Sequence, residues 1–138
     1  MLAYLDSSVV LRVVFGEPGQ LAEFHEIDEG ISSEILMLEC LRTIDRLRLR
    51  VPLSDEEVVL RNQAVFEIAE HLHIVPVVPR VLQRASQPFP TLLGTLDAIH
   101  LASALAWQES EGKTLTVMTH DRELSMAARS LGMPVLGT

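Results

Sequence analysis

The sequence predicts an α/β protein in which a parallel sheet is covered by helices on both faces. Short apolar runs alternate with segments of helical period along the whole chain, the order that parallel sheets require. The 138 residues, 48% hydrophobic and 22% charged, suit one domain over 1–138 with a core of its own.

Leu2-Ala3-Tyr4-Leu5 is an apolar run ending at Asp6-Ser7-Ser8, which reads as a buried strand and a helix cap. The helix spans Ser8 to Phe15 and stops at Gly16. After the Gly16-Glu17-Pro18-Gly19 turn, Leu21, Ala22 and Phe24 suggest a short helix, and Gly30-Ile31-Ser32 a brief second strand. Leu38, Leu41, Ile44 and Leu47 set a helical spacing within Ser33 to Arg48, closed by Pro52. Ser54 and Glu57 form a capping box ahead of Val58, Val59, Ala64, Val65 and Ile68. Ile74-Val75-Pro76-Val77 reads as a strand at a sheet edge or strand end, because proline cannot donate to the ladder. Pro79 opens a short helix to Arg84, and Leu96 to Trp107 is a long, almost wholly apolar helix that must be buried on most sides. Leu115 to Thr119 is a strand, His120-Asp121 a turn, Arg122 to Leu131 a helix ended by Gly132, and Val135-Leu136 a last short strand.

Eleven Lys and Arg against nineteen Asp and Glu leave a net charge of −8, so any contact with nucleic acid must be local. The single cysteine, Cys40, excludes an intramolecular disulfide, and no secretory leader is apparent, so a cytoplasmic location is expected. The most apolar stretch, Thr91 to Trp107, is broken by Asp97 and His100 and falls short of the roughly 20 apolar residues of a bilayer span, which predicts no membrane insertion. A mean hydropathy of +0.26 suggests apolar surface for a partner to cover.

Most acidic residues lie in polar neighbourhoods; four do not. Asp6 is the only charged side chain before Arg12, and Asp97 the only formally charged one between Arg84 and Glu109. Glu39 stands amid Ile35-Leu36-Met37-Leu38 and Cys40-Leu41, and Asp121 directly follows the strand ending at Thr119. A buried carboxylate without a partner costs several kcal/mol or shifts its pKa. The carboxyl ends of parallel strands open onto one crevice, where Asp6 and Asp121 meet if their strands are neighbours, with Asp97 and Glu39 reaching in from helices. Carboxylates gathered at one spot repel, and a hard divalent cation with oxygen ligands, magnesium or manganese, is the usual remedy. Singly, each acid reads as a cap, a first-turn residue or a solvated side chain; the four together read as a metal site.

Three stretches and one glutamate resemble a known family. They are Tyr4-Leu5-Asp6-Ser7-Ser8-Val9-Val10-Leu11; Leu96-Asp97-Ala98-Ile99-His100-Leu101-Ala102-Ser103-Ala104; Met118-Thr119-His120-Asp121 leading to Ala127-Ala128 and Leu131-Gly132; and Glu39 in Leu38-Glu39-Cys40-Leu41-Arg42. In order and spacing these resemble the PIN-domain ribonucleases, and among them the VapC-type toxins of toxin–antitoxin pairs. The resemblance spans nearly the whole chain. It implies a three-layer α/β/α sandwich and an acidic site that hydrolyses RNA with Mg2+ or Mn2+. It also implies a cognate antitoxin and a homodimer. Asp6, Glu39, Asp97 and Asp121 are the expected catalytic residues, with Asp6, Asp97 and Asp121 on the metal and Glu39 either an outer ligand through water or a group that positions the nucleophile. Ser8 and Thr119 are expected to orient carboxylates by hydrogen bonds, Ser8 also being a candidate helix cap.

Arg42, Arg46 and Arg50 recur at i, i+4 and i+8 on the helix that carries Glu39. They form a solvated face partly paired with Asp45, and a possible contact for RNA or antitoxin. His100 reads first as a packed core histidine, with a bond to Asp97 as the functional alternative; Cys40 reads as a small core residue, and His71 and His73 lack zinc spacing. A PIN fold that binds RNA or protein without cutting is the competing function, and the filled acidic quartet argues against it. A receiver-like phosphorylation pocket is disfavoured because Ser7-Ser8 follow Asp6 and the only lysine, Lys113, precedes the late strand; dinucleotide and P-loop sites lack a glycine-rich loop after a strand.

Overall fold

The computed structural model describes residues 1–138. Strand β1 (Leu2–Leu5) leads into helix α1 (Ser7–Phe15). A short 3-10 helix, Ala22–Glu26, precedes β2 (Glu29–Ser33), and α2 (Ile35–Leu47) and α3 (Asp55–Glu70) follow. The second half comprises β3 (Leu72–Val75), α4 (Pro79–Ala85), α5 (Thr95–Glu111), β4 (Thr116–Met118), α6 (Arg122–Ser130) and β5 (Val135–Leu136).

Every strand pair is parallel, and the order across the sheet is β3-β2-β1-β4-β5. The chain therefore starts mid-sheet, adds β2 and β3 on one side, then crosses back to lay β4 and β5 on the other. That reversal opens a crevice at the carboxyl ends of β1 and β4, the place where open α/β sheets bind their ligands.

Alternation of side chains along β1 divides the core between the two faces. Ala3 and Leu5 pack with Val9 and Val10 of α1, Leu36, Cys40 and Ile44 of α2, and Val65 of α3. Tyr4 packs on the opposite face with Leu101, Ala104 and Trp107 of α5 and Leu124 and Ala127 of α6. The sheet is thus the middle layer of an α/β/α sandwich, as expected.

Local chemistry sets the element ends. Gly16 closes α1 in the left-handed region at φ 61°, donating its N–H to the carbonyls of Arg12 and Val13. Ser54 Oγ accepts from the Glu57 N–H at 3.1 Å and caps α3. A Cβ on Gly30 would stand 2.6 Å from Leu72 Cδ2, so a larger residue there would push the Leu72 side chain aside. β3 lies at the sheet edge but begins earlier than Ile74 and ends before Pro76, which has no N–H to extend the ladder. α2 starts after Ser33 because that residue closes β2, its Oγ accepting from the Ile35 N–H at 3.3 Å. α5 continues past Trp107 to Glu111 and stops at Gly112, φ 66°.

Candidate active site

Asp6 follows β1 at the mouth of the crevice, and its N–H continues the ladder by donating to the Met118 carbonyl at 3.1 Å. Its side chain is buried, 3% exposed, although it occupies the N-cap position of α1, and it bonds to no backbone N–H of that helix. Instead Oδ2 accepts from Ser8 Oγ at 2.7 Å and from Thr119 Oγ1 at 2.8 Å. Both hydroxyls are fixed in turn by the loop after β4. Ser8 Oγ accepts from the His120 N–H, and Thr119 Oγ1 from the Asp121 N–H, each at 2.9 Å. These bonds bind one loop to the other and leave Asp6 Oδ1 turned toward His100, 3.6 Å from its Nε2. Ser8 lies inside α1, so its hydroxyl serves the carboxylate and is not the cap of the helix.

Asp121 caps α6, its Oδ1 accepting from the Leu124 N–H at 2.9 Å. Asp97 sits in the first turn of α5, half-buried. Burial first, then the charges of Asp121, Asp6 and Glu39, push its carboxyl up to about 6 against the partial relief of His100. The other three acids therefore all bear on Asp97, Asp121 most strongly among them.

Glu39 reaches in from α2 and meets His100 Nε2 through Oε1. His100 is wholly buried on α5, and its Nδ1 lies 2.7 Å from the Tyr4 hydroxyl, the two rings meeting edge to face. Burial pulls the imidazole down, but the bond to Glu39 and the charges of Asp6, Glu39 and Asp97 outweigh it and hold its pKa above the usual histidine value. Tyr4 is pushed well above the ordinary phenol range, by burial first and then by Asp6, so it remains a neutral hydroxyl. Burial likewise lifts the Cys40 thiol to about 12, which makes it an inert core residue.

The tightest group of ligand atoms, all within 4.8 Å of one another, belongs to Asp6, Glu39 and His100. Asp97 and Asp121 stand outside that group. His100 was the member that sequence reasoning undervalued. It lies one helical turn from Asp97, yet its bonds go to Glu39 and Tyr4, residues far from it in the chain. The donor set is rich in carboxylate oxygen, which fits a hard divalent cation.

Beyond Glu39 a groove of about 370 Å³ runs out between Ser7, Leu96, Arg42 and Arg46, and a second of about 290 Å³ continues past Arg46 to Arg50. Arg42 and Arg48 both pair with Asp45 at 3.1 Å, at the surface. A model of the PIN domain matches residues 3–130. The chain belongs to the PIN-domain family. This PIN domain is 32% identical over 136 residues to Ribonuclease VapC46 of Mycobacterium tuberculosis (strain ATCC 25618 / H37Rv), a match covering 96% of this chain and 95% of that protein. Its fold is similar to that of VapBC2 from Rickettsia felis, solved bound to a DNA fragment from their promoter, with a TM-score of 0.58, 13% identity and coverage of 98% and 97% of the two chains. PAE2754 from Pyrobaculum aerophilum is similar at a TM-score of 0.56 and 16% identity, covering 96% of this chain and 97% of that one.

Proposed function

We propose that this PIN domain is a metal-dependent endoribonuclease of the VapC toxin type, hydrolysing RNA phosphodiester bonds at Asp6, Glu39, Asp97 and Asp121 and held inactive by a cognate antitoxin. The observation that carries the reading is the meeting of four carboxylates at the β1/β4 crevice, close enough that like charge and burial lift Asp97 to about 6. A carboxyl shifted by burial and like charge in a crevice is the pattern that active sites share. The 32% identity to a ribonuclease over nearly the full length supports the same chemistry.

Asp6, Asp97 and Asp121, with Glu39 beside them, are the residues that would hold Mg2+ or Mn2+. Such a cation supplies charge neutralisation at the phosphate and a lowered pKa for attacking water. The protein's part is orientation. Ser8 and Thr119 donate to one oxygen of Asp6 and leave the other facing the centre. Thr119 also fixes the Asp121 backbone, so a single hydroxyl sets the positions of two acids. Arg42 and Arg46 line the groove that leaves Glu39, where they can take the phosphates of an incoming strand that the net charge of −8 would otherwise repel.

The antitoxin is read as covering the same groove, whose rim exposes Leu38 and Leu96 beside the two arginines. Val59, Leu60 and Phe66 on α3 leave apolar surface for a second copy, in keeping with a homodimer. No helix is long and apolar enough to cross a membrane, and the reading places the toxin in the cytoplasm with its RNA.

The test is to strip any co-purified partner and incubate wild type and Asp97→Asn with total RNA in Mg2+ or Mn2+, with an EDTA control. Discrete cation-dependent cuts leaving 5′-phosphate and 3′-hydroxyl ends, slowed at least about a hundredfold in the variant, are expected. Full activity in the variant, or cutting that EDTA does not affect, would refute it.

A further inference from the structure

The ligand atoms of Asp6, Glu39 and His100 are close enough together for the imidazole to be read as a metal ligand. The hydrogen bonding says otherwise. Both ring nitrogens of His100 are engaged, Nε2 by Glu39 Oε1 and Nδ1 by the Tyr4 hydroxyl at 2.7 Å. A nitrogen set against a carboxylate oxygen must carry the proton between them, because a carboxylate only accepts. Nε2–H therefore donates to Glu39, and a protonated nitrogen has no lone pair for a cation. A hard cation that prefers oxygen gives no reason to reverse that arrangement.

The other half of the bracket is equally specific. Tyr4 lies on the central strand with its ring on the α5 face, 1% exposed, so its hydroxyl meets His100 inside the core. Ser32 and Ser103 adjoin that hydroxyl, and each donates its own proton to a backbone carbonyl, Leu5 and Ile99 respectively, at 2.7 Å. A line of contacts thus runs from the middle of the sheet through Tyr4 and His100 to the tip of Glu39, the one acid of the four carried by α2. The other three stand on or beside elements that meet directly at the crevice.

We infer that His100 is a positioning residue, not a ligand: backed by Tyr4, it fixes the carboxylate of Glu39 at the acidic centre. The inference rests on the metal-dependent reading above and adds His100 and Tyr4 to it. His100→Leu removes the donor, His100→Gln restores an N–H that can reach the position of Nε2, and Tyr4→Phe removes a single hydroxyl while keeping the ring.

The experiment uses Mn2+ itself as probe, with pulsed electron paramagnetic resonance for nitrogen coupling, titration for affinity, and RNA cleavage beside both. Wild type is expected to bind Mn2+ without imidazole coupling. His100→Leu should lose about 10- to 100-fold in affinity and in cleavage, with much of both recovered in His100→Gln and a smaller loss in Tyr4→Phe. Imidazole coupling in wild type that vanishes in His100→Gln would make His100 a ligand and overturn the inference. So would His100→Leu or, if that variant does not fold, both other variants binding and cutting as wild type does. A folded wild type that neither binds Mn2+ nor cuts RNA would instead overturn the reading on which the inference rests.

Discussion

At Asp97, burial and like charge work against stability. The folded carboxyl keeps its proton up to a pH of about 6, whereas the unfolded one releases it at about 4. Between those values the native chain binds more protons, so this residue's contribution to stability falls as the pH rises through the window and stays unfavourable above it. Without cation at roughly pH 7, Asp97→Asn should therefore be more stable than wild type, by on the order of 1 kcal/mol once solvent screening of a half-exposed group is discounted. Urea denaturation should show that gain shrinking to nothing at about pH 4. A loss of stability at both pH values would contradict the repulsion inferred here. Asp6, Glu39 and Asp97 stood out in the sequence because each breaks an apolar context, and Asp121 because it follows a strand end. The role of His100 did not, since its partners are Tyr4 and Glu39 and nothing local in an apolar helix distinguishes a packed histidine from a bonded one.

Helix α2 presents Glu39 toward the crevice and Arg42, Arg46 and Arg50 along the grooves that leave it. The Arg42–Asp45–Arg48 pairs are exposed and worth little to stability, so substitution of Arg42 and Arg46 should barely move the unfolding midpoint. The double variant Arg42→Ala/Arg46→Ala should weaken RNA binding across all sequences and lower the steepness of its salt dependence by about 0.7 per lost phosphate contact. Filter binding of single-stranded RNA over a salt series checks this, and an unchanged slope would assign the stripe to solvation alone. Helical spacing and capping residues made most elements legible, the Ser54 cap of α3 and the Gly16 stop of α1 among them. β3 was displaced because His71 and His73 break its apolar pattern, while Ile74 to Val77 imitates a strand that Pro76 then cuts short.

The whole molecule contributes the place where these parts meet. Starting the chain at the centre of the sheet and reversing its direction of growth puts the end of β1 beside the end of β4, and so Asp6 beside Thr119 and Asp121. The alternation of strands and helices predicted the layers, and the condition that the first and fourth strands be neighbours is met by the observed order. How closely the two helical acids would approach each other was not legible, because it depends on how α2 and α5 pack over opposite faces of the sheet. A cation that binds only the folded site should stabilise it, by about 2.7 kcal/mol at a concentration a hundred times its Kd. The most direct test of the central claim is a calorimetric titration of Mn2+ into the protein, stripped of partner, at roughly pH 7. Binding in wild type that is lost in a folded Asp6→Asn variant is the expected result. No binding in folded wild type, or equal binding in both, would mean that the four carboxylates do not form a metal centre.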